Sequence, residues 1–376
     1  MKVLLCTITV GEGVNKICNA VGEKLKEKNI EYEIYNPFEN NRKKTKFLTQ
    51  TYYRVAKIIP DILTFVQHKF SNYNRKLRKS NKYTIVKSDV NYLFHVLQEK
   101  VKSGNFDVIY TPVQWIALAA VLLKRSGAIN CKVVYNIPDF NLPVYTELCY
   151  DCDLIISPCS EITNNLINNA QFSGDNVKQI PFPISDENFQ IIDRETIRFK
   201  LNIPLDKFVV LIMGGGAGVG SIVRAIKHFQ NDNNELYYIV VNGRNEKQKL
   251  KIDKWIQKCN WNNIMNLGFC KNVPELMSAS DCLYSKVGAA TMCEAYSKNL
   301  PFVTTKQKLY PEYDNLEHLI KYGAAKKCRN FHECSEIFKQ LQADPKSLNE
   351  IKENFSKLFD RDSAVRIVDE IINLNN

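Results

Sequence analysis

The sequence lacks long apolar stretches. Its longest run, Trp115 to Leu123, is about half of the roughly 18 residues that a membrane-spanning helix needs, so no span is expected. The opening Met1–Val10 is too short for a signal peptide, has no small-residue cleavage site and runs into Gly11-Glu12-Gly13. Cysteine is dilute, 12 in 376 residues, which excludes a disulfide-stapled scaffold and predicts an intracellular chain with reduced thiols. Cys149-Tyr150-Asp151-Cys152 stands alone. A zinc site needs a second such pair, and a redox motif needs thioredoxin-like surroundings. The five histidines are scattered without ligand spacing, and no repeat of 20–50 residues is visible.

What is present is ordinary in bulk and uneven in detail. Hydrophobic residues are 45% and charged residues 24%, as in a folded globular protein, and the length predicts two domains or three. The formal net charge is +11. From Arg42 to Lys82 stand twelve lysines and arginines against one acid, Asp61, so this segment carries the entire excess. Such a block usually meets an anionic partner.

Short apolar runs alternate with helical spacing. Lys2–Val10 predicts a strand ended by the glycine turn 11–13, followed by a helix through Ile17, Ala20, Val21 and Leu25 and a strand at Tyr32–Tyr35. Phe106–Tyr110, Lys132–Asn136, Leu154–Ser157 and Gln179–Pro183 predict further strands, with helices over Trp115–Leu123 and Asn164–Asn169. A second series begins at Phe208–Met213 and continues with a helix through Ile222, Ile226 and Phe229. Strands are expected at Tyr237–Val241, Ile264–Leu267, Asp281–Tyr284 and Phe302–Thr304. The pattern is α/β throughout. It gives two halves joined by a Pro-containing link near 181–204, with a cleft expected between them.

Two small-residue loops stand where a strand feeds a helix. Gly214 to Gly220 holds five glycines in seven residues. Backbone N–H groups there, with a helix N-terminus, form a phosphate site. The spacing is neither the dinucleotide fingerprint G-x-G-x-x-G nor a P-loop. Gly288-Ala289-Ala290-Thr291 opens a second helix in the same way, with Glu294 one turn in and placed to accept from ribose hydroxyls.

With these residues the chain resembles the monogalactosyldiacylglycerol synthase and processive diacylglycerol glucosyltransferase family. More distantly it resembles the bacterial lipid-intermediate N-acetylglucosaminyltransferase of cell-wall synthesis. Five ordered stretches carry the likeness: 213–218, 242–245, 267–269, 285–295 and 311–315. The first half is similar more loosely, through Gly11-Glu12-Gly13, the Tyr- and Pro-containing stretch from Tyr53 to Phe70, Asp153–Ser157 and Ile180–Pro183.

The resemblance implies the GT-B fold, two Rossmann-like domains facing a central cleft. Residues 1–185 would bind the acceptor and carry a basic, aromatic insertion at 42–83. Residues 200–355 would bind a UDP-sugar, and a helix over 356–376 would pack back on the first domain. On the donor side the resemblance places Gly215, Gly216 and Gly218 beside the pyrophosphate, Asn242 and Arg244 in the next loop, and the Phe269 backbone on uracil. Ala289, Ala290 and Thr291 would face the phosphates, Glu294 the ribose, and Glu312 and Asn315 the transferred sugar. The family inverts the anomeric centre and uses no metal or other cofactor, the UDP-sugar being a co-substrate. Gly11 and Gly13 would border the acceptor.

The chain departs from the family pattern. Val14 stands where the family has histidine after its second N-terminal glycine, and valine cannot move a proton. Val287 and Ala289 replace the proline and second glycine of its Lys-Pro-Gly-Gly motif. A base must then come from a carboxylate, Asp139 after the strand Lys132–Asn136 or Glu12 in the first loop, and Asp139 is preferred slightly.

The basic segment also carries Tyr52, Tyr53, Ile58, Ile59, Ile62, Leu63, Phe65 and Phe70. Cations around aromatic and aliphatic side chains predict an anionic membrane surface as partner, with Lys76, Arg78 and Lys79 as contacts. No nucleic-acid motif accompanies the charge, so no nucleic acid is expected. The reading is a cytoplasmic, peripheral membrane enzyme that moves a sugar from a UDP-sugar to a lipid. Two rivals are a non-catalytic nucleotide-sugar-binding subunit with a protein partner and a UDP-sugar epimerase of similar shape.

Overall fold

A computed structural model gives the structure of residues 1–8, 12–39, 87–142, 146–214, 222–230, 236–307 and 310–374. The chain divides into two compact units. One is Met1–Ser185 with Leu309–Pro311 and Asp360–Asn376, and the other is Asp186–Lys308 with Glu312–Phe359.

The first unit runs β1 (Lys2–Cys6), α1 (Glu12–Glu27), β2 (Glu31–Tyr35), α2 (Lys87–Gly104), β3 (Val108–Thr111), α3 (Gln114–Arg125) and β4 (Lys132–Asn136). It continues with β5 (Leu154–Ser157), α4 (Ser160–Asn164), a π turn over Asn165–Asn169, and β6 (Val177–Gln179). The six strands are all parallel, in the order β2-β1-β3-β4-β5-β6. Strand residues alternate between faces, so Val3, Leu5, Val108, Tyr110, Leu154 and Ile156 share one face and bury it under Ile17, Val21 and Leu25 of α1. Each such aliphatic side chain contributes about 1.5–3 kcal/mol when taken out of water.

Two expected boundaries shift. The last strand lies at Val177–Gln179, not Gln179–Pro183, because Pro181 and Pro183 have no N–H to give a ladder. β1 stops at Cys6, and α1 already includes Glu12 and Gly13 of the expected turn.

The second unit runs α5 (Arg194–Lys200), β7 (Phe208–Met213), α6 (Ile222–Phe229), β8 (Leu236–Val241), α7 (Glu246–Cys259), β9 (Ile264–Leu267), α8 (Val273–Ser278) and β10 (Cys282–Ser285). Then follow α9 (Ala289–Ser297), β11 (Phe302–Thr305), α10 (Tyr310–Lys321), β12 (Ala325–Cys328), α11 (Phe331–Ala343) and α12 (Pro345–Ser356). Its six parallel strands are ordered β12-β11-β10-β7-β8-β9. β7 and β8 are buried along their whole length, which is why both read as unbroken apolar runs. Phe229 centres the core, 5.5 Å from the Tyr238 ring, 5.7 Å from Tyr284 and 5.4 Å from Phe338. β12 was not expected. It is an edge strand whose Lys326 and Lys327 are exposed, so it shows no apolar run.

A last helix, α13 (Ser363–Asn373), lays Ile367, Val368 and Ile371 on the core of the first unit. The Ser363 hydroxyl donates to the Phe182 carbonyl at 2.8 Å. Among the described residues no helix is long and apolar enough to cross a membrane.

Candidate functional site

In a parallel sheet every strand points the same way, so all the loops after the strands share one edge. Ligands bind there, at the point where successive connections diverge to opposite sides. In the second sheet this point lies between β7 and β10: the chain leaves β7 toward β8 and β9, and leaves β10 toward β11 and β12. Of the two small-residue loops named by the sequence, the one after β10 stands beside it. Gly214 follows β7 and is buried; Gly215, Gly216 and Gly218 lie outside the described residues.

The loop after β10 is fully described. Gly288 is the N-cap of α9, and no side chain caps the helix. Gly288, Ala289, Ala290 and Thr291 are all half-buried, so the start of this nine-residue helix carries only small side chains of its own. This is the arrangement that receives an anion. Glu294 lies half-buried one turn further, its carbonyl accepting from the Ser297 hydroxyl at 2.8 Å.

Two side chains of α10 hold this loop in place. Asn315 is fully buried and its Nδ2 donates to the Val287 carbonyl at 3.0 Å. Glu312 is buried too, and Lys286 Nζ donates to its Oε1 at 3.1 Å. Both side chains thus contact the β10–α9 loop, and the resemblance places the same two residues on the transferred sugar. Lys286 is the residue that the sequence reading passed over. Its signal was its place as the lysine of the stretch similar to the family's Lys-Pro-Gly-Gly motif.

On the other side of β7, the loop after β8 is built around Asn242. Its Nδ2 donates to Asn266 Oδ1 at 2.7 Å and to the Leu267 carbonyl at 2.8 Å, and Gln248 Nε2 donates to its Oδ1 at 3.0 Å. With no exposed surface and both ends of its amide bonded, Asn242 shapes the loop and has no face for a ligand. Gly243 takes φ 58°, which an L side chain rarely adopts, and Asn245 caps α7 by accepting from the Gln248 N–H. This turn carries Arg244 outward. Its guanidinium stands 5.2 Å from the centre of the Phe269 ring, and Phe269, after β9, is 54% exposed. A cation over an exposed ring gives a planar platform at the same edge as the α9 N-terminus.

In the first unit the corresponding divergence lies between β1 and β3. Gly11 lies outside the described residues, and Gly13 and Val14 are half-buried in the first turn of α1. The Thr7 hydroxyl donates to Asn15 Oδ1 at 2.5 Å, tying the end of β1 to that helix. Glu12 is the first residue of α1. Asp139 is half-buried in the loop after β4. Burial first, and then the Cys149 thiol, push the Tyr135 hydroxyl well above its usual range, and the Asp139 charge adds to the effect. The Nδ2 atoms of Asn136 and Asn141, on either side of Asp139, are buried without a partner among the described residues. Lys76, Arg78 and Lys79 lie outside the described residues. A hollow beside Phe106, Asp107, Cys131 and Lys132 opens at the opposite edge of this sheet, where the strands begin.

Residues 193–358 match the family described as Glycosyl transferases group 1. A processive diacylglycerol beta-glucosyltransferase from Bacillus licheniformis is 29% identical over 197 residues, 52% of this chain and 51% of that relative, so this match spans about half the length of each. Another, from Bacillus cytotoxicus, is 24% identical over 404 residues, covering 100% of this chain and 94% of the relative. Among solved structures, the UDP-GlcNAc 2-epimerase from Neisseria meningitidis bound to UDP-GlcNAc superposes with a TM-score of 0.66 at 15% identity, over 99% of this chain and 100% of that one. Likeness at that identity speaks for the fold alone, two parallel six-stranded sheets in the GT-B arrangement. Over residues 193–358 the chain matches a glycosyl transferases group 1 domain on a GT-B fold, and it resembles the processive diacylglycerol beta-glucosyltransferases.

Proposed function

We propose that the chain transfers a hexose from a UDP-sugar to a lipid acceptor at an anionic membrane surface, with inversion and without a metal ion. The observation that carries the donor half is the uncapped start of α9 at the divergence of β7 and β10, with Arg244 and Phe269 on the neighbouring loops. The diphosphate would lie on the N–H groups of Gly288 to Thr291, where the helix dipole favours the charge that develops on leaving UDP. Uracil would lie against Phe269, and Glu294 would accept from the ribose. The lipid acceptor is supported by the names of the two relatives, and the membrane surface by the charge of 42–82. Inversion requires one general base on the acceptor side, and we assign it to Asp139, in the loop after β4.

Val14 favours a second reading, a nucleotide-sugar-binding subunit without turnover, because no imidazole stands at the family's histidine position. One assay separates the two: purified protein, UDP-glucose and diacylglycerol in anionic vesicles, with EDTA in one arm. Glycolipid and UDP in equal amounts, with and without EDTA, would support transfer. UDP-glucose binding without product would support the subunit. No stabilisation by UDP or UDP-glucose would overturn both.

A further inference from the structure

The resemblance would put Glu312 on the transferred sugar, yet its side chain is only 6% exposed and Oε1 is held by Lys286 at 3.1 Å. Lys286 is the exposed partner, at 41%. Its Nζ lies 3.6 Å from where a Cβ on Gly288 would stand, so the ammonium sits over the N-cap of α9. Among the described residues Glu312 Oε2 is buried with no partner, and so is the hydroxyl of Ser285, the residue before Lys286. Native folds leave few such atoms. The Ser285 hydroxyl is a donor that a phosphate oxygen can accept from, whereas Glu312 Oε2 only accepts and can take no phosphate.

Resting on the donor-site reading above, we propose that Lys286 binds the diphosphate of the donor directly and that Glu312 is its positioning residue. An ammonium has three donors, and Glu312 occupies one, which leaves two for a ligand beside a loop where no Cβ beyond alanine intrudes before Thr291. The buried carboxylate fixes the lysine beside the helix terminus, so the ammonium donors and the partial positive charge of the terminus meet the same anion. On transfer, the bond from the anomeric carbon to the diphosphate oxygen breaks and its electron pair stays on UDP, next to Lys286.

The test is calorimetric binding of uridine, UMP, UDP and UDP-glucose to the full chain and to Lys286→Met, Lys286→Arg and Glu312→Gln. A charged hydrogen bond corresponds to about tenfold to a hundredfold in affinity. Lys286→Met should lose that much for UDP and UDP-glucose alike and leave uridine within about twofold. Lys286→Arg should recover most of the loss, and Glu312→Gln should show a smaller loss in the same pattern. Equal weakening of uridine and UDP would mean a merely structural role and overturn the proposal. Loss confined to UDP-glucose in Glu312→Gln would put Glu312 on the sugar and overturn it as well. If the unmodified chain binds no UDP, the donor-site reading fails and takes this proposal with it; the other two outcomes overturn the proposal alone.

Discussion

Arg198 Nη2 donates to Asp281 Oδ2 at 2.9 Å, and the same oxygen accepts from the Val209 N–H at 2.8 Å. Asp281 stands just before β10 and so clips it to β7 at the edge away from the donor loops. The first unit repeats the device: Asp153, just before β5, accepts from the Val133 N–H at 2.8 Å and pairs with Lys124. Arg198 is 3% exposed and also donates to the carbonyls of Ala279, Leu205 and Lys207.

Arg198→Met should therefore cost about 3 kcal/mol, because it strands buried acceptors while Arg194 still holds the other oxygen of Asp281. For a unit of this size that lowers the melting temperature by about 6–12 °C. Thermal unfolding followed by circular dichroism measures it. A shift under about 2 °C would show that water replaces the guanidinium.

The cysteines make a chemical test of packing. Ten of the twelve are buried, and only Cys259 and Cys270 are partly exposed. Burial pushes the Cys131 thiol up to about 11 and the Cys159 thiol up to about 12, so neither offers thiolate near neutrality. At pH 8 a thiol reagent should label no more than Cys259 and Cys270 in the folded chain and all twelve after denaturation. Cys270 should be the slower of the pair, since burial raises its thiol too. Rapid labelling of further thiols would contradict the packing described.

Glu294→Gln should weaken UDP binding about tenfold to a hundredfold, the range of a hydrogen bond to a charged acceptor. Uracil binding should be untouched, because Arg244 and Phe269 lie on other loops. An unchanged dissociation constant for UDP would remove Glu294 from the ribose.

The alternation of strands and helices was legible because buried parallel strands are unbroken apolar runs, as in Phe208–Met213. The loop of Gly288 and the two alanines was legible because few other residues fit a helix start of this kind, while Gly215, Gly216 and Gly218 lie outside the described residues. Less was legible where one residue type serves two purposes. Asn242 reads as a ligand residue but is buried in its own loop, since an amide satisfies backbone and side chains equally well. Glu312 and Lys286 are 26 positions apart, and only the packing of α10 on the β10–α9 loop makes them a pair. β12 carries no apolar signal because it is an edge.

Membrane binding should follow the basic segment. Lys76, Arg78 and Lys79 changed together to Glu should release the protein from anionic vesicles and leave UDP affinity alone. Each basic residue near such a surface contributes about 1 kcal/mol, and the effect falls as salt screens it. Vesicle sedimentation across a salt series measures it. Binding that ignores salt, or none in the unmodified chain, would give the segment another role.

Asp139→Asn keeps the shape of the loop after β4 and removes its base. If the chain is active, turnover should fall about 10²–10⁴-fold while UDP-glucose affinity holds, the usual reach of general-base catalysis. Glu12→Gln should be milder if Glu12 only orients the first turn of α1. The pH–rate profile supplies a second readout. The unmodified enzyme should lose activity as pH falls and the base takes up its proton, and Asp139→Asn should flatten that limb. Full activity in the double variant would sink the assignment, because neither loop would then hold the base and the acceptor proton would have to leave by way of the donor phosphate or water.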